Sequence, residues 1–588
     1  MRDNKEKYNI FTRRALFLGC TKGVVLSCLL GRFYYLQILN SDKYKTLSNK
    51  NRLRVFLTPA KRGIIYDANG KILANNIKAY SLYFKLKFRR SLREVVDKIN
   101  NILIDQKIDV SSYADKISKL PVSSNVKLLS NLSQKNVVLL SSHPDLQEIK
   151  VEDEYVRIYP FKESFFHTVG YLGISDKKQN SINSIPKNYD LMDGKDGVEK
   201  VFNDNLEGKS GVQRIEVDAK GNFVKNIDYV LPVDGENLQL SIDQNIQQKM
   251  INRMQDRNGS VIIMDLSKNK IVGMLSKPQI DPNIFINGVT YEKWDAIVGS
   301  KDNVLNNKCI STNYHPGSIF KVVMYLAILN ANLDHKEKIF CPGHYTLGDR
   351  VYKCWKKTGH GYVDLNEAFA ESCNVYFYEQ SLKVGIKRID DMATSLGLGR
   401  KTNIELPFEK SGLMPNPSWK KEKYGVSWFK GDTINTTIGQ GYMEFTPIQM
   451  ICMLAKIVNC KDIVPSIISK NHENEFADIN IKKSHLNMLK KSMFSVFYNK
   501  RGTGYQYRIL DEKYQIAGKS GTSQIIGLHH KSKNLSFKDH SLFIGYAPFH
   551  KPKYAIITIV EHGGWGSKAA LPISRDLLLD IRDIDVAN

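Results

Sequence analysis

Beyond residue 39 the sequence has no second long apolar run, which excludes a helical protein that crosses a membrane many times. It has no zinc-finger spacing and no basic-helix signature, so nucleic acid is a poor partner although the formal charge is +25. It has no short-period internal repeat, which argues against a solenoid. No small-x-small cleavage site follows the one apolar run, so that run reads as an uncleaved anchor and not as a signal peptide. The positive excess is scattered along the chain, as suits a solvated surface or attraction to an anionic lipid or polymer.

The apolar run covers residues 16–39. Only Lys22 and Arg32 within it are charged, and Arg32 is placed to snorkel to a headgroup. At 1.5 Å per residue such a helix crosses a hydrocarbon core of roughly 30 Å. Arg13 and Arg14 precede it, and Phe33, Tyr34 and Tyr35 form an aromatic belt at its exit. Lysines and arginines flank both ends, so charge bias sets no firm orientation. The first tail is too short to hold a domain, which puts the functional mass on the far side. Residues 1–14 are read as a cytoplasmic tail and 15–39 as a transmembrane anchor.

The rest is too long for one core, and two or three domains are expected. Residues 58–74 place Asn69-Gly70 between two apolar stretches, a β-hairpin pattern. Leu92, Val95, Val96 and Ile99 recur at helical spacing within 85–150, and 151–173 is strand-like. Gly194, Gly197, Gly208 and Gly211 predict an extended, turn-rich arm. Residues 231–235 read as a linker, giving domains over 40–235 and 236–588. The second opens with a helical run over 245–257 and a hairpin of 260–264 with 271–275. Residues 541–546 and 555–560 are strand-like, and 577–581 close in a helix. Strands at both ends of a helical middle predict an α+β domain whose sheet is assembled from distant segments.

Three hydroxyl and lysine motifs lie in the second domain: Ser318-Ile319-Phe320-Lys321, Ser372-Cys373-Asn374 and Lys519-Ser520-Gly521-Thr522. Pro316-Gly317 predicts a helix start with Ser318 in the first turn and Lys321 on the same face. A serine hydroxyl is a poor nucleophile until a base removes its proton. A lysine amine can be that base when burial and neighbouring positive charge lower its pKa. Ser372 and Asn374 do not share a helix face, so a turn is predicted from which both point into one cleft. There Ser372 can relay a proton and Asn374 can hold a substrate amide. Lys519 offers positive potential to a carboxylate, Ser520 and Thr522 add hydroxyls, and Gly521 lets a ligand backbone approach. The third motif is expected to precede a strand over 523–527. An extended peptide with a free carboxylate, bound as an added strand, suits this set.

The trio resembles the serine-nucleophile, penicillin-recognising family of transpeptidases, carboxypeptidases and β-lactamases. Arg62-Gly63-Ile64-Ile65-Tyr66-Asp67 with Gly70, Leu73 and Ala74 resembles the opening of the non-catalytic domain of class B penicillin-binding proteins. Tyr159-Pro160, His167, 170–173, 194–199 and 206–211 resemble its continuation. Residues 314–318 and Glu561-His562-Gly563-Gly564 are most similar to the elongation-type branch, penicillin-binding protein 2. The resemblance implies a β-rich elongated pedestal over 40–235 and a β-lactamase-like transpeptidase domain, an antiparallel sheet with flanking helices, over 236–588. It implies peptidoglycan D,D-transpeptidation by a serine acyl-enzyme route on the periplasmic side of the inner membrane. Ser318 would be the nucleophile and Lys321 its base. Ser372 and Asn374 would complete the proton network and bind the donor peptide. Lys519 and Ser520 would hold the terminal carboxylate, with backbone N–H groups of Ser318 and Thr522 as the oxyanion hole. Ser520 stands where the family usually has threonine. The implied partners are stem peptides, β-lactams, a SEDS-family glycosyltransferase and a rod-shape scaffold protein. A D,D-carboxypeptidase or a β-lactam-binding sensor is the alternative reading.

The chemistry needs no cofactor, but Cys341, Cys354, His360 and Cys373 offer a donor set that zinc takes tetrahedrally. Their spacings are longer than a zinc finger's. A Cys341–Cys354 disulfide and unpaired buried thiols fit the same residues. The resemblance favours a structural zinc, since some members of the penicillin-binding protein 2 group hold one beside the active site, with ligands that vary among carboxylate, His and Cys.

Overall fold

The computed structural model describes residues 3–58, 60–85, 91–103, 108, 125–144, 146, 149–174, 192–218, 223–286, 289–300, 302–469, 476–524 and 538–587. The chain divides into two compact units. One comprises residues 1–60, 176–189 and 208–234, and the other 61–175, 190–207 and 235–588.

In the first unit a helix over Asp3–Tyr34 runs on through a wider turn, Tyr35–Leu39. Among the described residues one stretch, Thr12–Leu39, is long and apolar enough to cross a membrane, with a mean hydropathy of 1.5. Leu16, Phe17, Leu26 and Leu30 on it are all exposed, and a continuous apolar surface of that kind needs lipid around it. Beyond it, Leu53–Thr58, Gly211–Val217 and Phe223–Val230 form a three-stranded antiparallel sheet.

The second unit holds two cores. The expected hairpin, in which Ile65–Tyr66 pairs antiparallel with Ile72–Lys85, gives Ile65, Leu73 and Ala74 to the larger core, and the far end of its long strand, with Leu82 and Phe84, carries the smaller one. The long strand also pairs with Asn125–Leu132 and Ile149–Ile158. The helical spacing holds over Ser91–Ile102, where Val95, Val96 and Ile99 are buried with Leu82, Phe84 and Leu128. Residues 151–173 are strand to Ile158 and again from Leu172; between them the Phe165 and Phe166 rings are buried in helical turns over Lys162–Phe165 and Phe166–Val169.

The glycine-rich stretch is not an arm where it belongs to this unit. Gly197–Val201 and Asn203–Glu207 are short helices with Val198 and Leu206 fully buried. A Cβ on Gly194 would stand 2.0 Å from the Glu199 carbonyl oxygen, so this glycine marks close approach and not extension. Glu199 is fully buried and takes Arg62 at 2.6 Å and Arg157 at 2.8 Å. The motifs 62–67 and 194–199 thus meet at one buried arginine–glutamate–arginine triad, which costs several kcal/mol when a single partner is removed.

The larger core contains α1 (Gln244–Met254) and the second expected hairpin, β1 (Gly259–Asp265) with β2 (Lys270–Lys277). Next come α2 (Lys321–Asn330), α3 (Leu365–Ala370), α4 (Asn374–Val384), α5 (Pro417–Tyr424), α6 (Lys430–Thr437), α7 (Pro447–Asn459) and α8 (Lys483–Tyr498). Strands β3 (Ala517–Ser523), β4 (His540–Ala547) and β5 (Tyr554–Val560) and helix α9 (Ala570–Ala587) complete it. The sheet runs β2-β1-β5-β4-β3, antiparallel at every step. Its centre thus joins a strand from the start of the domain to one from the end. All residues of β1 and β5 are buried, so both faces are covered. Helices α1 and α9 pack on the sheet together, and α7 packs on β1 and β5. Strand β3 lies at the edge, packed against α8 and against the turn that leads into the nearly all-buried helix α2.

Candidate functional site

Ser318 lies in a single 3-10 turn, Gly317–Phe320, that leads into α2. Gly317 has a φ of +54°, and a Cβ on it would stand 2.3 Å from the Thr522 carbonyl oxygen. Gly439, with a φ of +71°, accepts from the Gly317 N–H at 3.0 Å and has room for no Cβ against the Gly317 backbone. Gly521 comes up to the Pro316 carbonyl from β3. Glycines from three distant segments therefore let the serine turn lie directly on the edge strand. The next residue, Gln440, donates to the Thr522 carbonyl at 3.2 Å. Gly439 and Gln440 are outside the three motifs; the Gly439-Gln440-Gly441 run at the end of α6 is the signal that marks them.

Lys321 begins α2 and is fully buried. Its Nζ donates to the Ser372 carbonyl at 2.8 Å, the Ser372 Oγ at 3.2 Å and the Asn374 Oδ1 at 2.7 Å. Ser372 sits in the expected turn between α3 and α4, at a φ of +58°. That uncommon conformation turns its carbonyl and hydroxyl to the same lysine.

The third motif does not precede its strand; it is the strand, since β3 spans Ala517–Ser523. Residues 525–527 of the predicted strand lie outside the described residues. Alternation along β3 sends Lys519 inward, fully buried, where its Nζ donates to the Ser372 Oγ at 3.0 Å and the Ser520 carbonyl at 3.1 Å. Ser520 is buried, and Thr522 Oγ1 accepts from the Gly566 N–H at 3.2 Å. The structure thus brings all three motifs to one cleft.

Burial lowers the Lys321 amine to about 8. Burial and the neighbouring Lys321 charge hold Lys519 well below the usual lysine range. Two lysines donating to one hydroxyl occupy both its lone pairs, so the Ser372 proton is left to point elsewhere in the cleft.

Beside Ser372, the four cysteine and histidine residues converge. Ligand atoms of Cys341, Cys354, His360 and Cys373 all lie within 4.8 Å of one another, and all four residues are buried. His360 Nδ1 is 3.5 Å from Cys341 Sγ and 3.6 Å from Cys354 Sγ. The three cysteines are free thiols. Hydrogen bonding to Cys373 pulls the Cys341 thiol down to about 6 and lowers Cys354 as well, while Cys373 is driven up as their donor. A set that already favours thiolate, with one imidazole nitrogen facing it, fits a metal ion. Cys354 Sγ also accepts from the Asn374 N–H at 3.3 Å, so the cluster touches the second motif directly. Arg501, which no motif marks, clasps this corner: it pairs with Glu371 at 2.9 Å and donates to the His360 carbonyl at 2.9 Å.

Residues 259–579 match the penicillin binding protein transpeptidase domain, and residues 57–240 the penicillin-binding protein dimerisation domain. The peptidoglycan D,D-transpeptidase MrdA of Acinetobacter baumannii is 31% identical over 97% of this chain and 88% of its own. MrdA of Escherichia coli K12 is 29% identical over 96% and 93%. A solved complex between penicillin-binding protein 2 and MreC from Helicobacter pylori has a TM-score of 0.80 at 27% identity, covering 91% of this chain and 100% of that one. With its single membrane helix, pedestal and transpeptidase fold, this chain belongs to the class B penicillin-binding proteins, as a single-pass inner-membrane, serine-type peptidoglycan D,D-transpeptidase.

Proposed function

We propose that Ser318 is the acylated nucleophile of peptidoglycan cross-linking during cell elongation, and that the two lysines divide the proton and charge work. Neutral Lys321 takes the Ser318 proton as Oγ attacks the carbonyl carbon of the penultimate D-alanine. Backbone N–H groups of Ser318 and Thr522 receive the oxyanion. When the amide C–N bond breaks, Ser372 gives its proton to the departing D-alanine nitrogen and is reprotonated from Lys321. The terminal carboxylate lies against Lys519 and Ser520, and its charge restores the ammonium that burial disfavours. Asn374 and the edge of β3 hold the donor peptide as an added strand. The amine of a second stem then attacks the ester, forms the new amide and returns Ser318 to its hydroxyl.

The observation that carries this reading is the convergence of Lys321 and Lys519 on the Ser372 hydroxyl, at 3.2 and 3.0 Å. Mass spectrometry of the intact protein after fluorescent penicillin, with peptide mapping, tests it: one adduct is expected, on Ser318. Ser318→Ala should fold normally and lose labelling entirely. Full labelling of that variant would place the nucleophile elsewhere. The same cleft serves a D,D-carboxypeptidase if water replaces the acceptor amine, or a β-lactam sensor; the membrane anchor and pedestal favour cross-linking.

Cys341, Cys354, His360 and Cys373 would hold Zn2+ as a structural ion, cross-linking the 341–360 loop to the second motif without activating water. We assign residues 1–14 to a cytoplasmic tail, 15–39 to the anchor, 40–235 to the pedestal and 236–588 to the transpeptidase domain. The pedestal is the surface for a rod-shape scaffold protein, in line with the MreC complex of the Helicobacter pylori relative. A SEDS-family glycosyltransferase is the partner that would supply glycan.

A further inference from the structure

Helix α5 and the segment that follows it carry a surface the reaction above does not use. Trp419, Tyr424 and Tyr442 form a three-ring cluster with centroid separations of 5.3, 5.4 and 5.7 Å. Tyr424 is 49% exposed and Tyr442 36%, and Phe429 stands out beside them at 62%. The surface is braced from beneath. Lys420 is buried, forms an ion pair with Asp432 and lies 4.7 Å from the Phe429 ring, 5.8 Å from Tyr442 and 6.0 Å from Trp428. Asp432 in turn accepts from the Phe429 N–H at 2.8 Å at the start of α6. The rings are therefore fixed before any ligand arrives, and ordering them adds no entropic cost to binding.

The exposed charge around the rings is mainly positive. Lys421, Lys423 and Lys430 are exposed with Glu422 as the single acid among residues 419–430. Lys423 Nζ lies over both Trp419 and Tyr424, at 5.3 and 5.7 Å. This surface also adjoins the cleft. Gly439 and Gln440 bond to the Ser318 turn and to Thr522, the Met443 carbonyl accepts from His315 Nδ1 at 2.6 Å, and Tyr442 lies between them in the chain.

Resting on the transpeptidase reading, we propose that Trp419, Tyr424, Phe429 and Tyr442, with Lys421 and Lys423, form a subsite for the glycan strand that carries a stem peptide. The C–H faces of amino-sugar rings are apolar and pack on fixed aromatic faces, while their hydroxyl and amide groups stay in water. The lysines meet the carboxylates that hang from the same strand. Anionic lipid would suit lysines and aromatic rings too, but a lipid contact has no need of a place next to Ser318, and the peptide's own glycan does.

The test uses the full-length protein and Tyr424→Ala/Lys423→Gln, two exposed positions outside the acylation machinery. Acylation by fluorescent penicillin, which carries no glycan, should stay within about twofold of the unaltered chain. Cosedimentation with isolated sacculi should fall about fivefold or more, and Tyr424→Trp with Lys423 intact should retain it. Unchanged sacculus binding overturns the subsite, and so does a variant that loses binding to anionic phospholipid vesicles while keeping sacculi. If the unaltered chain is not acylated at Ser318, the transpeptidase reading itself fails and the subsite falls with it.

Discussion

The Nζ of Lys519 and the Oγ of Ser372 are 3.0 Å apart, although 147 residues separate them in the chain. This hydrogen bond closes the cleft: one partner is on the edge strand, the other on a turn between helices. Lys321 reaches the same oxygen at 3.2 Å. Ser372→Ala should therefore do more than delete a proton relay, because both lysines lose an acceptor. Penicillin acylation should drop about 10²-fold or more, while thermal stability falls by only about 1 kcal/mol. Stopped-flow or gel-based acylation rates beside a melting curve would check this. A rate equal to that of the unaltered protein would remove Ser372 from the proton path.

Acylation should depend on pH through Lys321. Burial lowers this amine to about 8, and the active form is the neutral one. The neutral fraction is about a tenth at pH 7 and falls about tenfold for each unit below that. The second-order rate constant for penicillin should therefore rise with pH and level off above about 8. A profile that is flat from pH 6 to 9 would take the base role from Lys321.

Gly317 carries a purely geometric prediction. Its φ of +54° and the 2.3 Å approach of a Cβ to the Thr522 carbonyl leave no room for alanine. Gly317→Ala should push the serine turn off β3. The expected cost is about 2 kcal/mol or more in stability, with at least a tenfold loss of acylation. Thermal melting and penicillin labelling measure the two effects, and retention of both would mean that the turn does not need its seat on the strand.

Local pattern explains what the sequence discloses and what it hides. The hairpins at 65–74 and 259–277 were legible because turn residues and alternating apolar residues are local signals. The helix over Ser91–Ile102 followed from the spacing of Val95, Val96 and Ile99. The glycines at 194 and 197 were misleading because glycine marks both a loose turn and a backbone packed against backbone, and only the second requires the distant Glu199. The third motif itself lies in a strand, because a lysine, serine and glycine run has little β-forming pattern of its own and it is the pairing of Lys519 with Ile544 and Ser520 with Phe543 that makes it one. Arg501 has no signal in the sequence: its partners, Glu371 and the His360 carbonyl, are more than a hundred residues away, and a single surface arginine carries no local mark.

The cysteine–histidine cluster makes the last prediction, because it joins the stability of the domain to the chemistry of the cleft. Cys373 is next to Ser372, and Cys354 accepts from the Asn374 N–H, so the cluster holds the second motif from both sides of its turn. Zn2+ shared by four ligands would fix that turn; without it, three buried thiols compete for protons and the turn is free to shift. Pure protein should carry one equivalent of zinc by elemental analysis. Exhaustive chelation should lower the melting temperature and the penicillin acylation rate together, and zinc should restore both. Cys373→Ser should reproduce the chelated state, since a hydroxyl is a far weaker zinc ligand than a thiolate. Chelation that lowers the melting temperature and leaves acylation intact would separate the cluster from the cleft. The absence of stoichiometric zinc would leave the three thiols as unligated core residues, held only by the hydrogen bonds among them.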